Sequence, residues 1–160
     1  MAYAGIDNAI KCYTTSIFWD DQKGCLCFEE LDRDDSYAQK GELYFHVGSP
    51  YMYLMTIEIG RVRTIVMSQF RGNVEHEILG GLINSLYRDT GALYPPITVP
   101  IAMVKEPEKG VPGDLKYGTL KSGDPYYDEY IQYLRDILSG SFARIVVPDM
   151  GAIYGKDMLR

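Results

Sequence analysis

Between Glu42 and Val47 the chain alternates without a break, with Leu43, Phe45 and Val47 on one side and Glu42, Tyr44 and His46 on the other. A period of two belongs to a strand with two unlike faces, because successive side chains of extended backbone point in opposite directions. Turn signals bracket this stretch and repeat before and after it. Asp21-Gln22-Lys23-Gly24 separates residues 9–20 from 25–30, and Gly48-Ser49-Pro50 leads into Tyr51–Ile59. A turn near Gly60 leads on into Arg61–Phe70. Asp at the first and Gly at the fourth position suit a type I turn followed by a bulge. The first half of the chain is therefore predicted to be antiparallel hairpins.

The simplest registers place Asp21 opposite Cys25, Trp19 opposite Cys27 and Phe18 opposite Phe28. They put Phe45 beside Tyr53 and Val66, and Leu43 beside Met55 and Thr64, on a face assigned to the core. The other face then carries three rows: Glu42, Thr56 and Arg63; Tyr44, Leu54 and Ile65; His46, Met52 and Met67. Half of those residues are apolar. Each such side chain gains about 1.5–3 kcal/mol on burial, so the strip demands cover from a partner or from a helix crossing to that side.

The second half changes period. Asn73 can cap a helix from Val74 to Asp89, with Val74, Ile78, Leu82 and Leu86 as its apolar stripe and Gly91 beyond its end. Gly80-Gly81 costs such a helix about 1 kcal/mol per glycine, which points either to another backbone packed close there or to tolerated strain. Ile97–Val104 is apolar but broken by Pro100, hence an edge or irregular strand. Residues 105–123 form a long connection rich in Lys, Gly and Pro. Asp124-Pro125 opens a second helix, with Tyr127, Tyr130, Ile131, Leu134, Ile137 and Leu138 on its buried face and Gly140 at its end. Ala143–Val147 reads as a short central strand. No composition shift divides residues 1–160, so the expectation is one α+β domain: a mostly antiparallel mixed sheet of about six or seven strands with two helices packed on it.

Charge and cysteines narrow the function. The net charge is −6, with no basic stripe to neutralise phosphates, which disfavours nucleic acid and anionic membranes. No apolar run is long enough to span a bilayer as a helix, and the N-terminus lacks the build of a signal peptide. Three cysteines, Cys12, Cys25 and Cys27, form no disulfide framework and read as reduced, small apolar residues of a cytoplasmic protein, in its own cell or a host's. They lack the fourth ligand a structural metal would want, and neither metal nor cofactor is expected. Tyrosine is abundant, at 14 residues, as suits sheet surfaces and interfaces.

Catalytic signatures are absent: no nucleophile elbow, no phosphate-binding glycine loop, no dinucleotide fingerprint, no zinc-spaced histidine pair. Glu75-His76-Glu77 cannot converge on one ion from consecutive helical positions. Three functional readings remain. The leading one is a non-catalytic interaction protein, most simply a homodimer, acting through an apolar sheet face of Met52, Leu54, Ile65 and Met67 rimmed by Arg61. The alternative is a small hydrolase or phosphodiester-acting enzyme using His46 as base with Tyr44, Glu58 and Arg63. The third is a small-ligand binder whose tyrosine-lined pocket lies under the 105–123 loop.

Overall fold

The computed structural model describes residues 1–5, 8–31, 38–56, 63–68, 78–86, 96–104, 117–139, 144–147 and 151–154. The expected α+β layout with two helices is replaced by a mostly β fold: ten antiparallel strands in a curled half-barrel, with one helix among the described residues. The strands are β1 (Ala2–Ala4), β2 (Ile10–Cys12), β3 (Thr14–Asp20), β4 (Cys25–Leu31), β5 (Lys40–Phe45), β6 (Tyr51–Thr56), β7 (Arg63–Ser68), β8 (Ile78–Leu86), β9 (Pro96–Val104) and β10 (Gly118–Leu120). The helix is α1 (Tyr127–Ser139), and β11 (Arg144–Val147) pairs only with β12 (Gly151–Tyr154) in a two-stranded sheet.

The order across the large sheet is β10-β2-β1-β9-β8-β7-β6-β5-β4-β3. That order forces the curl. β2 and β3 stand second and last, yet only Tyr13 separates them in sequence. In a flat sheet eight spacings of roughly 4.8 Å would hold them about 38 Å apart, whereas three consecutive Cα atoms span at most about 7 Å. The register agrees. Pairing runs from Phe18 through Cys27, Glu42, Met55, Thr64 and Asn84 to Thr98. Continued through the β9–β1–β2 register, it returns near Asn8, about ten residues before its start. A stagger of that kind accompanies strands tilted in a barrel.

Curling creates two faces with different cover. On the concave face Phe28, Leu43, Met52, Leu54, Ile65, Met67, Leu79, Ile83, Ile101 and Met103 pack as one core. On the convex side α1 lays Tyr130 and Leu134 over Ala2, Ile10, Cys12, Ala102 and Leu120. Strand β9 shows the alternation directly, since Ile101 and Met103 enter the first cluster and Ala102 the second.

Several local expectations change. The Asp21–Gly24 turn holds four residues rather than three between paired positions, because the Asp20 carboxylate accepts from the Gln22 and Lys23 amides at 2.9 and 3.0 Å. Asp20, not Asp21, therefore faces Cys25, and Phe18 faces Cys27. The β6–β7 register is as expected, but β5 slips by one, so that Leu43 faces Leu54 and Phe45 faces Met52. The expected helix at 74–89 is strand β8 over Ile78–Leu86; the rest of that span lies outside the described residues. Gly81 permits this, since a Cβ there would lie 2.5 Å from the Val66 carbonyl oxygen of β7. Strand β9 is flanked on both sides, and Pro100 sits where the β1 pairing, at Ile101 and Ala102, has not begun. The run expected as a central strand near 143–147 is β11, and residues 118–120 of the long connection form β10. Residues 105–116 lie outside the described residues. The second expected helix is present as α1.

Candidate functional site

The one-residue slip of β5 decides the fate of the apolar strip. Met52, Leu54, Ile65 and Met67 share the concave face with Leu43 and are 0%, 0%, 1% and 0% exposed. Among the described residues they are covered from inside, by side chains of the curled sheet itself. Arg61 lies outside the described residues.

Of the residues of the hydrolytic reading, the three described ones, His46, Tyr44 and Arg63, do not converge. His46 is exposed beyond the end of β5, its Nδ1 2.9 Å from the Val47 carbonyl oxygen. Tyr44 is on the convex face, where its hydroxyl donates to Glu42; that bond, with burial second, raises the phenol above its usual range. Arg63 is on the concave face at the start of β7, level with Gly41 across Thr56, so about five residues or roughly 16 Å of strand separate it from the level of His46. Glu58 lies outside the described residues.

Arg63 instead makes a contact that local sequence does not announce. Its Nη1 donates to Glu30 Oε1, and the two residues are 9% and 5% exposed. Both belong to the concave face near Thr15, which pairs with Glu30. Arg63 Nε and Thr15 Oγ1 are buried without a hydrogen-bond partner among the described residues. The pair is thus a buried polar inclusion at one end of an apolar core, imperfectly satisfied.

The surface feature with most to explain is the end of the sheet. Among the described residues β3 pairs with β4 alone. Its sequence, Thr-Thr-Ser-Ile-Phe-Trp-Asp, exposes three consecutive large apolar side chains: Ile17 at 36%, Phe18 at 40% and Trp19 at 58%. Sheet alternation sends Phe18 to the convex face and Ile17 and Trp19 to the concave one, so the edge is apolar on both sides. Tyr44 and Met55 extend the exposed apolar surface along the convex face, Met55 in the same paired row as Phe18. Edge strands in natural proteins are normally blunted by lysine, proline or a bulge. From Thr14 to Trp19 this one carries neither a charge nor a proline.

The hairpin joining β3 to β4 also gathers reactive groups. Cys25 Sγ lies 3.9 Å from Cys27 Sγ, the Lys23 ammonium lies 3.9 Å from Cys27 Sγ, and Asp20 Oδ2 lies 4.0 Å from it. Burial, followed by the neighbouring Cys27 sulfur, pushes the Cys25 thiol up. Cys12, under α1, is pushed up to about 11 by burial. All three cysteines are free. Among the described residues no group of three or more His, Cys, Asp or Glu is placed to hold a metal ion. No helix among them is long and apolar enough to cross a membrane.

Compared with known proteins, the chain matches no family model, no curated protein and no solved structure.

Proposed function

We propose that the protein is a non-catalytic interaction protein that self-associates through β3, two copies adding their edge strands antiparallel about a two-fold axis. The observation that carries this reading is the exposed, uncharged Ile17-Phe18-Trp19 edge on the terminal strand of the sheet. Edge strands offer a ready template for another strand, and a two-fold interface requires a self-complementary patch. β3 meets that requirement. Paired about Ile17, it sets Ser16 opposite Phe18 and Thr15 opposite Trp19 of the other copy, and no like charges meet. Asp20 falls opposite Thr14. Met52, Leu54, Ile65 and Met67 fill the core and offer no docking surface.

Sedimentation velocity on the whole chain and on the Phe18→Lys/Trp19→Lys variant tests the reading. Both positions are exposed, so the variant keeps its fold, and an edge lysine is the natural means of blocking strand addition. A dimer that becomes a folded monomer is expected. A wild-type chain monomeric at high micromolar concentration, or a variant as dimeric as its parent, overturns the proposal.

A further inference from the structure

Cys25 and Cys27 lie two residues apart on one strand, so their side chains share the convex face, and their sulfurs are 3.9 Å apart. Their environments differ. Cys25 is half-buried at the start of β4, while Cys27 is buried against Phe18 and Glu42 on the neighbouring strands. The Lys23 ammonium, held by Asp20 at 3.8 Å, lies 3.9 Å from the Cys27 sulfur. Among the described residues no third metal-ligating group joins the two sulfurs in a metal site.

We infer that Cys25 and Cys27 form a thiol–disulfide exchange site for small disulfides of the glutathione type, with Cys25 reacting first and Cys27 resolving. The Cys25 thiolate attacks one sulfur of the small disulfide. A mixed disulfide forms, the original S–S bond breaks, and the other half leaves as a thiolate that takes up the proton Cys25 lost. The Cys27 thiolate then attacks Cys25 Sγ, closing the Cys25–Cys27 bond and expelling the second half as a thiol. The protein loses two protons and two electrons, and the small disulfide is reduced to two thiols. Exposure fixes the order, because only Cys25 offers its sulfur to a molecule in solution. Two residues of extended strand span about 6.6 Å between Cα atoms, at the upper end of what a disulfide bridges. The closed form is consequently strained, and a strained disulfide is one that small thiols readily reopen. Cys12, buried under α1, is a built-in unreactive control.

This inference stands apart from the docking reading, and its test does not depend on oligomeric state. The native chain is incubated with glutathione disulfide, quenched with an alkylating reagent at intervals and read by peptide mass spectrometry. Expected are early glutathionylation at Cys25, then a Cys25–Cys27 disulfide, with Cys12 still alkylatable after denaturation. Cys27→Ser should stall as the mixed disulfide at Cys25. Lys23→Gln should slow closure several-fold while leaving the first step unchanged. If Cys27→Ser fails to fold, the order of species in the wild-type time course carries the same information. A wild-type chain that stops at the mixed disulfide, or one that modifies Cys12 as fast as Cys25, overturns the inference.

Discussion

Replacing Arg63 by Met tests how the concave core tolerates its one described ion pair. In the wild type the guanidinium donates to Glu30, and both groups are almost wholly withdrawn from water. Removing either partner deprives the other, still buried, of this counter-ion, at a cost of up to about 3–5 kcal/mol. That is a large share of the roughly 5–15 kcal/mol by which such domains are stable. Removing both is different. The Arg63 Nε already lacks a partner among the described residues, so the native pair does not recover its full desolvation cost. Glu30→Met/Arg63→Met should therefore lie within about 1 kcal/mol of the wild type, or above it, since buried pairs are often replaced by apolar groups at no loss. The assay is urea unfolding followed by circular dichroism, run as a double-mutant cycle. Single variants that each cost less than about 1 kcal/mol would refute the claim that this pair is buried. A double variant as unstable as the sum of the singles would refute the claim that the two groups answer each other.

Three further outcomes follow from packing and ionisation. Gly41→Ala should abolish folding, because the added Cβ would sit 1.9 Å from the Met55 carbonyl oxygen; Gly24→Ala, at φ +64° in open space, should cost only about 1 kcal/mol, both read from thermal melts. Leu54→Asp/Ile65→Asp should give no folded protein by circular dichroism rather than a folded monomer, since both side chains fill the core; a folded variant would contradict the inward register. Stability should fall as pH rises from about 9 to about 11, because the unfolded Cys12 thiol ionises near 9 while burial holds the folded one neutral to about 11, so the unfolded state binds fewer protons across that window. Cys12→Ala should flatten that part of the pH profile of urea midpoints, and an unchanged profile would contradict the assignment.

How far the residues disclose the fold depends on how local each determinant is. The β6–β7 register follows from alternation on both strands, and Met55 does face Thr64. The neighbouring β5 register turns on the geometry of a single loop, where Gly48 at φ +81° and the Ser49 amide donating to the His46 carbonyl set the length. One residue of slip there moves Met52, Leu54, Ile65 and Met67 from a surface to the core. In the stretch from Leu79 to Leu86, the apolar residues fit a helical stripe nearly as well as a strand. The glycine pair held the decisive information: close approach of another backbone is real at Gly81, but it is the approach of β7 in a sheet. Glu30 and Arg63 are 33 residues apart, and only the curled sheet brings them together. The candidate edge is the least legible feature. The composition of β3 is plain in the sequence, but its place at the end of the order is set by the pairing of every other strand.

Cross-linking on the two-fold axis shows whether two copies meet along β3. In a chain with Cys12, Cys25 and Cys27 replaced by Ala, a single Ile17→Cys places one thiol of each copy opposite the other. The Cα separation is then about 4.5–5.5 Å, inside the range a disulfide bridges. A control carrying Asp20→Cys instead lies about three residues, roughly 10 Å, off the axis. Ile17→Cys should give rapid, near-complete disulfide-linked dimer under mild oxidation and Asp20→Cys little, by non-reducing electrophoresis. Equal and slow cross-linking of the two variants would contradict pairing along β3.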